Sequence, residues 1–105
     1  MNQEERYAVL VGAFVGRPGV SRDGKGFGAS ALKVGGRIFA MLSSRGDFVV
    51  KLPRDRVDAL VASGAGDRFD PGHGRLMKEW FAVRPGSGLD WLALSEEALL
   101  FVTPR

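Results

Sequence analysis

Cysteine is absent from the chain, which removes disulfides, thiolate metal sites and thiol nucleophiles together. Histidine is nearly absent: His73 is the single one, and no other residue type carries a side chain that titrates near neutrality unperturbed. No apolar run approaches the ~20 residues that a membrane-spanning helix requires. The longest, residues 8–15, contains Gly12 and follows Glu4 and Glu5, where a secretory leader would carry net positive charge. Together these absences lead us to expect a cytoplasmic protein with no membrane partner.

Charge of one sign is lacking as well. Fifteen Lys and Arg stand against twelve Asp and Glu, a net charge of +3, and the signs are interspersed. Arg54, Asp55, Arg56 and Asp58 alternate, the pattern of a solvated helix face. The basic balance admits nucleic acid as a partner, although a committed binder clusters its basic residues.

What remains is the composition of one globular domain spanning residues 1–105, 45% apolar and 26% charged. Its fifteen glycines predict many turns. Tyr7, Leu10, Val11 and Phe14 fall at helical spacing and predict a first helix ended by Gly16, Pro18 and Gly19. Its stripe faces a core or, as in a dimer, a partner. Gly24, Gly26 and Gly28 alternate like a phosphate-cradling loop, but lack the following helix and the lysine preceding Ser or Thr. Three strands in a meander are expected between residues 27 and 52, with Gly35 and Gly36 forming one hairpin turn. Ile38, Ala40 and Leu42 are expected on one sheet face, and Phe48, Val50 and Leu52 on one face of the next strand. Lys33, Arg37 and Lys51 emerge along this sheet as its nearest approach to a basic patch.

Pro53 then opens a second helix that Gly64 stops. Arg68 and Phe69 make a very short strand, and Asp70, Pro71 and Gly72 are strong turn chemistry. Residues 76–83 form a strand with apolar residues on both faces. Met77, Glu79, Phe81 and Val83 share one face; Leu76, Lys78, Trp80 and Ala82 share the other. Ser87 and Asp90 have capping-box spacing ahead of a third helix containing Trp91, Leu94, Ala98 and Phe101.

Chemistry is sparse in this sequence. His73 with Glu79 forms a conceivable acid–base pair, with Asp70 nearby and Arg75 and Lys78 available to hold an anion. No nucleophile or cofactor motif accompanies them. A single histidine with Asp70 and Glu79 falls short of zinc-ligand patterns, and Asp67 with Asp70 falls short of a calcium loop. No catalytic, cofactor-binding or metal residue is therefore assigned.

A resemblance adds to this reading. Gly26, Phe27 and Gly28, then Ala31, Leu32, Lys33 and Val34, then Gly36 through Arg37, Ile38, Phe39, Ala40, Met41 and Leu42, resemble the start of a TfoX N-terminal-type domain. Leu52, Pro53, Arg56, Val57, Leu60 and Val61 continue the pattern. So do Phe69, Asp70 and Pro71, the Gly-Arg-Leu-Met-Lys-Glu-Trp segment at 74–80, and the closing helix with Trp91, Glu97 and Ala98. The similarity runs from residue 27 to 102, and the segment at 74–80 is its most specific part.

The resemblance implies an α+β fold in order α-β-β-β-α-β-β-α, a two-layer antiparallel sheet with helices packed on it. The similar YgaC, YjbR and secretion-chaperone-like domains share that arrangement. TfoX proteins include regulators of DNA-uptake competence and carry a second, C-terminal domain, to which nothing in these 105 residues corresponds. YjbR-like relatives are often labelled DNA-binding. The family supplies no catalytic residues, and fold does not fix function.

The expectation is a non-enzymatic binding or regulatory module whose partner is a protein, including a second copy of itself. Two alternatives accompany it. One is nucleic-acid binding through Lys33, Arg37, Arg75 and Lys78. The other is a small-molecule or hydrolytic site around Asp70, His73, Arg75 and Glu79. Trp80 completes the candidate binding surface.

Overall fold

Asn2 starts the first helix through a reciprocal cap. Its side-chain oxygen accepts from the Glu5 amide at 2.8 Å, and the Glu5 carboxylate accepts from the Asn2 amide at 3.1 Å. The computed structural model describes residues 2–23, 31–43, 45–70 and 77–103. Helix α1 (Gln3–Phe14) places Glu4 and Glu5 in its first turn, where negative charge opposes the positive helix end. Four strands follow: β1 (Val20–Asp23), β2 (Ala31–Val34), β3 (Arg37–Leu42) and β4 (Phe48–Lys51). Then come α2 (Arg54–Ala62), β5 (Gly66–Phe69), β6 (Met77–Val83) and α3 (Trp91–Val102).

The fold is α+β, as expected, with three helices and one six-stranded antiparallel sheet ordered β1-β2-β3-β4-β6-β5. Strand β1 is additional to the expected meander. Its sequence, Val-Ser-Arg-Asp, has no apolar alternation, and it forms as an edge by pairing Val20 with Val34 and Arg22 with Leu32. Between β4 and β5 the chain crosses the sheet as α2, leaving a one-strand gap that β6 fills.

Turn and cap chemistry explains most boundaries. Gly35 and Gly36 both take positive φ, 57° and 81°, as a two-residue hairpin turn requires. At the end of α2 the Gly64 amide donates to Val61 O and the Ala65 amide to Leu60 O, the paired bonds of a Schellman stop. Pro53 sits one position earlier than expected, as the N-cap of α2, and its carbonyl accepts from Val57. The expected Ser87–Asp90 box does not form. Asp90 is itself the N-cap of α3, accepting from the Leu92 and Ala93 amides at 2.9 and 3.3 Å, while Ser87 Oγ accepts from Leu89. The carboxylate wins because it is the stronger acceptor and lies one residue from the helix.

One expected strand face is wrong. Leu32 pairs with Ala40 but Lys33 pairs with Ile38, so Phe39 is an extra residue bulged out of β3. The inserted residue shifts the alternation. Phe39, Ala40 and Leu42 join the main core, whereas Ile38 and Met41 point to the opposite face.

The main core lies between the sheet and the helices. Phe14, Phe39, Phe48, Phe81, Leu32, Leu52, Val50 and Val57 are fully buried there, each worth ~1.5–3 kcal/mol of transfer free energy. Phe48 stacks on Trp91 at 4.2 Å and 12°, and Phe14 meets Phe39 edge-on at 5.5 Å. A smaller cluster occupies the other face: Ala31, Met41, Val49 and Phe69, with Ile38, Trp80 and Ala82 against it. The two-sided character expected of β6 is therefore observed, with Phe81 and Val83 in one cluster and Trp80 and Ala82 in the other.

Two substitutions test this packing. A Cβ on buried Gly66 would overlap the Ala82 carbonyl oxygen and lie 2.6 Å from Phe81 Cζ. Gly66→Ala is expected to lower the urea-unfolding free energy by about 3 kcal/mol or to prevent folding. Ser95 Oγ is buried within α3 without a hydrogen-bond partner among the described residues, so Ser95→Ala is expected to raise it by about 1 kcal/mol.

Candidate functional site

The strand order separates the candidate residues that sequence reasoning grouped. Lys33 is half-buried on β2 and Arg37 is exposed at the start of β3, whereas Lys78, Glu79 and Trp80 lie on β6. Strands β3 and β4 stand between β2 and β6, a separation of roughly 14 Å at normal strand spacing. His73 and Arg75 lie outside the described residues. Asp70 is half-buried, and its carbonyl accepts from the Arg45 guanidinium at 2.7 Å. The Glu79 side chain is exposed, and its backbone carbonyl accepts from Leu52 at 2.9 Å. Trp80 is half-buried beneath Lys51, whose Nζ lies 5.5 Å from the ring centroid. Lys33, Lys51 and Trp80 share the sheet face opposite the helices, since their neighbours Leu32, Val34, Val50, Leu52 and Phe81 all enter the main core. Among the described residues no group of three His, Asp or Glu is placed to hold a metal.

Two surfaces emerge that the sequence reading did not assemble. The first is a groove of about 320 Å3 lined by Arg54, Asp58, Arg68 and Lys78. Arg54 and Asp58 are one helical turn apart, so both face the same side of α2. Arg68 reaches from β5 to bond Asp58. Lys78 enters because β6 breaks register there: Arg68 pairs with Phe81, but Phe69 pairs with Met77. The alternating charges of α2 had suggested a solvated face, and that holds for Arg56, which bridges to Glu97 of α3 at 2.9 Å. The i, i+4 spacing of Arg54 and Asp58 was the legible signal. Convergence on β5 and β6 was not.

The second surface is the outer side of α1. Ala8, Val9, Gly12, Ala13, Val15 and Gly16 are all exposed, and none carries a charge. Val9 is 63% exposed and Val15 53%. Beside it a groove of about 190 Å3 runs between α1 and α3, with Val9, Ala13 and Leu92 along it and Arg6 and Asp90 at its rim. Leu92 is 43% exposed. The helices that form this surface are held from beneath. Arg6 donates to Leu89 O at 3.1 Å and covers the Trp91 ring at 4.2 Å. Tyr7 OH donates to Ala40 O at 3.4 Å, and burial pushes the Tyr7 phenol pKa well above its ordinary value.

Arg17 closes the far end of the α1–α3 pair with two bonds to Glu96, at 3.0 and 2.5 Å. Those bonds hold the Glu96 carboxyl below the ordinary 4.5. No helix among the described residues is long and apolar enough to cross a membrane.

Comparison of the chain with protein-family models, characterised proteins and solved structures finds no match.

The Arg17–Glu96 pair has a pH signature. A depressed carboxyl stabilises the fold above its unfolded pKa and loses that contribution as pH falls through the folded value. The stability difference between the wild type and Glu96→Gln is therefore expected to stay level above the ordinary 4.5 and to shrink below it. Urea denaturation across the acid range measures this directly.

Proposed function

We propose that the chain is a non-enzymatic binding module, a regulatory domain of the TfoX N-terminal kind, that acts as a homodimer through α1. The observation carrying this reading is the charge-free exposed surface made by Ala8, Val9, Gly12 and Ala13 of α1 and by Val15 and Gly16 just after it. An exposed helix face in water ordinarily carries charged or polar residues. Here its place is taken by Val9, Val15 and four small residues, with Leu92 continuing the apolar surface across α3.

A second copy is the partner that suits this face. Two α1 helices packed antiparallel would set the uncharged stretch of each, Ala8, Val9, Gly12 and Ala13, against the same stretch of the other. The helix spans about 18 Å at 1.5 Å per residue. Ala8 and Gly12, one turn apart, allow close approach of the backbones. A two-fold pairing of this kind uses the same patch twice and closes on itself. In support of the family reading, the helices and strands from β2 onward follow the order that the resemblance implies.

Sedimentation velocity over a concentration series tests the reading. The wild type is expected to shift from monomer to dimer with a Kd in the range of about 1–100 μM. Val9→Asp is expected to remain monomeric with an unchanged circular dichroism spectrum, because pairing would desolvate its charge. A wild type that stays monomeric at about 1 mM overturns the dimer.

A further inference from the structure

We propose that the groove between α2 and the β5–β6 edge is an anion site for a phosphoryl dianion. This site is separate from the α1 surface, and the inference does not depend on dimerisation.

Charge balance is the first ground. Among the described residues three cations, Arg54, Arg68 and Lys78, line the groove against one carboxylate, Asp58, a local excess of +2. Asp58 is already engaged by Arg68. Arg54 and Lys78 have no carboxylate within ion-pair reach among the described residues. Arg17, Arg56, Arg68 and Arg84, by contrast, each have one.

The second ground is that folding alone does not favour this arrangement. Arg54 is the first residue of α2, where the helix dipole disfavours a cation. Lys78 is brought to the same groove by an irregularity that costs β6 its regular pairing with β5. Like charges gathered at these two costs are accounted for by an anion between them.

Ligand chemistry follows from the donors. Two planar guanidinium groups and one ammonium match the several oxygens of a phosphoryl group. The excess of +2 equals the charge of a phosphate monoester above its second pKa of ~6. A carboxylate would neutralise half of it. The open groove suits the end of a small molecule more than a continuous strand, whose repeating phosphates would need basic residues along its whole path. On the helix side of the sheet, Arg56 is taken up by Glu97.

Titration of 15N-labelled protein with inorganic phosphate, with phenyl phosphate and with a single-stranded oligonucleotide tests the site. Saturable amide shifts confined to α2 and to the β5–β6 segment around Arg68 and Lys78 are expected for both phosphate compounds. Phenyl phosphate binding more tightly than inorganic phosphate identifies an ester as the natural form; equal affinity identifies the free ion. Arg54→Ala and Lys78→Ala are each expected to weaken binding about tenfold with unchanged urea midpoints. Asp58→Asn is expected to tighten it, an effect that damage to the fold would not produce. Val9→Asp is expected to bind phosphate as the wild type does, which separates this site from the dimer. Absence of saturable shifts overturns the proposal, as does unchanged affinity in Arg54→Ala, Lys78→Ala or Asp58→Asn. Oligonucleotide shifts spreading over Lys33, Lys51 and Trp80 at an affinity exceeding that for phosphate also overturn it, in favour of a nucleic-acid surface.

Discussion

Phe48 is the point at which both long helices are fixed to the sheet. It is fully buried at the start of β4, stacked on Trp91 of α3 at 4.2 Å and tilted against Tyr7 of α1 at 6.0 Å. Arg6 covers the outer face of Trp91 and ties α1 to the loop before α3 through Leu89 O. Aromatic stacking, a cation over a ring and a backbone hydrogen bond thus meet within one small volume, each adding specificity that area burial alone would not supply. With their inner faces held in this way, α1 and α3 have no freedom to rotate their exposed apolar residues inward. The uncharged surface of α1 stands in solvent because the core has already taken Tyr7, Leu10, Val11 and Phe14.

Two irregularities in the sheet account for the remaining surfaces. The bulge at Phe39 gives the main core an additional aromatic ring against Phe14 and turns Ile38 to the other side, against the cluster of Ala31, Met41, Val49 and Phe69. The sheet is therefore apolar on both faces in its middle. The register break between Arg68 and Phe69 opens β6 beside α2 and brings Lys78 to Arg54, Asp58 and Arg68. Breaks in strand pairing commonly lie where a side chain must be re-aimed. Both here sit beside features that regular pairing would not produce.

The helix-side apolar surface and the cationic groove occupy different parts of the helix layer, one on α1 and α3, the other on α2 and the sheet edge. Arg56 and Glu97 bridge between α2 and α3, joining the two regions mechanically. A module that pairs with its own copy on one surface and holds an anion on another has the physical elements of a regulated binding domain.

The amino-acid sequence by itself determined the class of the fold, because local chemistry suffices for it. Helical spacing marked α1 and α3, the glycine pair marked the β2–β3 turn, and Gly64 marked the end of α2 through the φ that only glycine adopts readily. The mixed faces of β6 were legible from Trp80 to Val83, but Lys78, expected on the Trp80 face, lies toward α2 because the register break with β5 interrupts the alternation. Strand β1 was not legible: Val-Ser-Arg-Asp acquires its conformation from its neighbour β2 and not from its own propensities. Nor was the face of Ile38, because a bulge is a property of two paired strands and leaves no mark on one. The candidate sites divide in the same way. The lone histidine and the basic residues around it could be named from sequence, but Lys33 and Arg37, on neighbouring strands, are set apart from Lys78 by strand order, which local pattern does not encode. Tertiary structure alone decided that Arg54, Asp58, Arg68 and Lys78 meet, since they come from three elements whose proximity depends on β6 entering between β4 and β5.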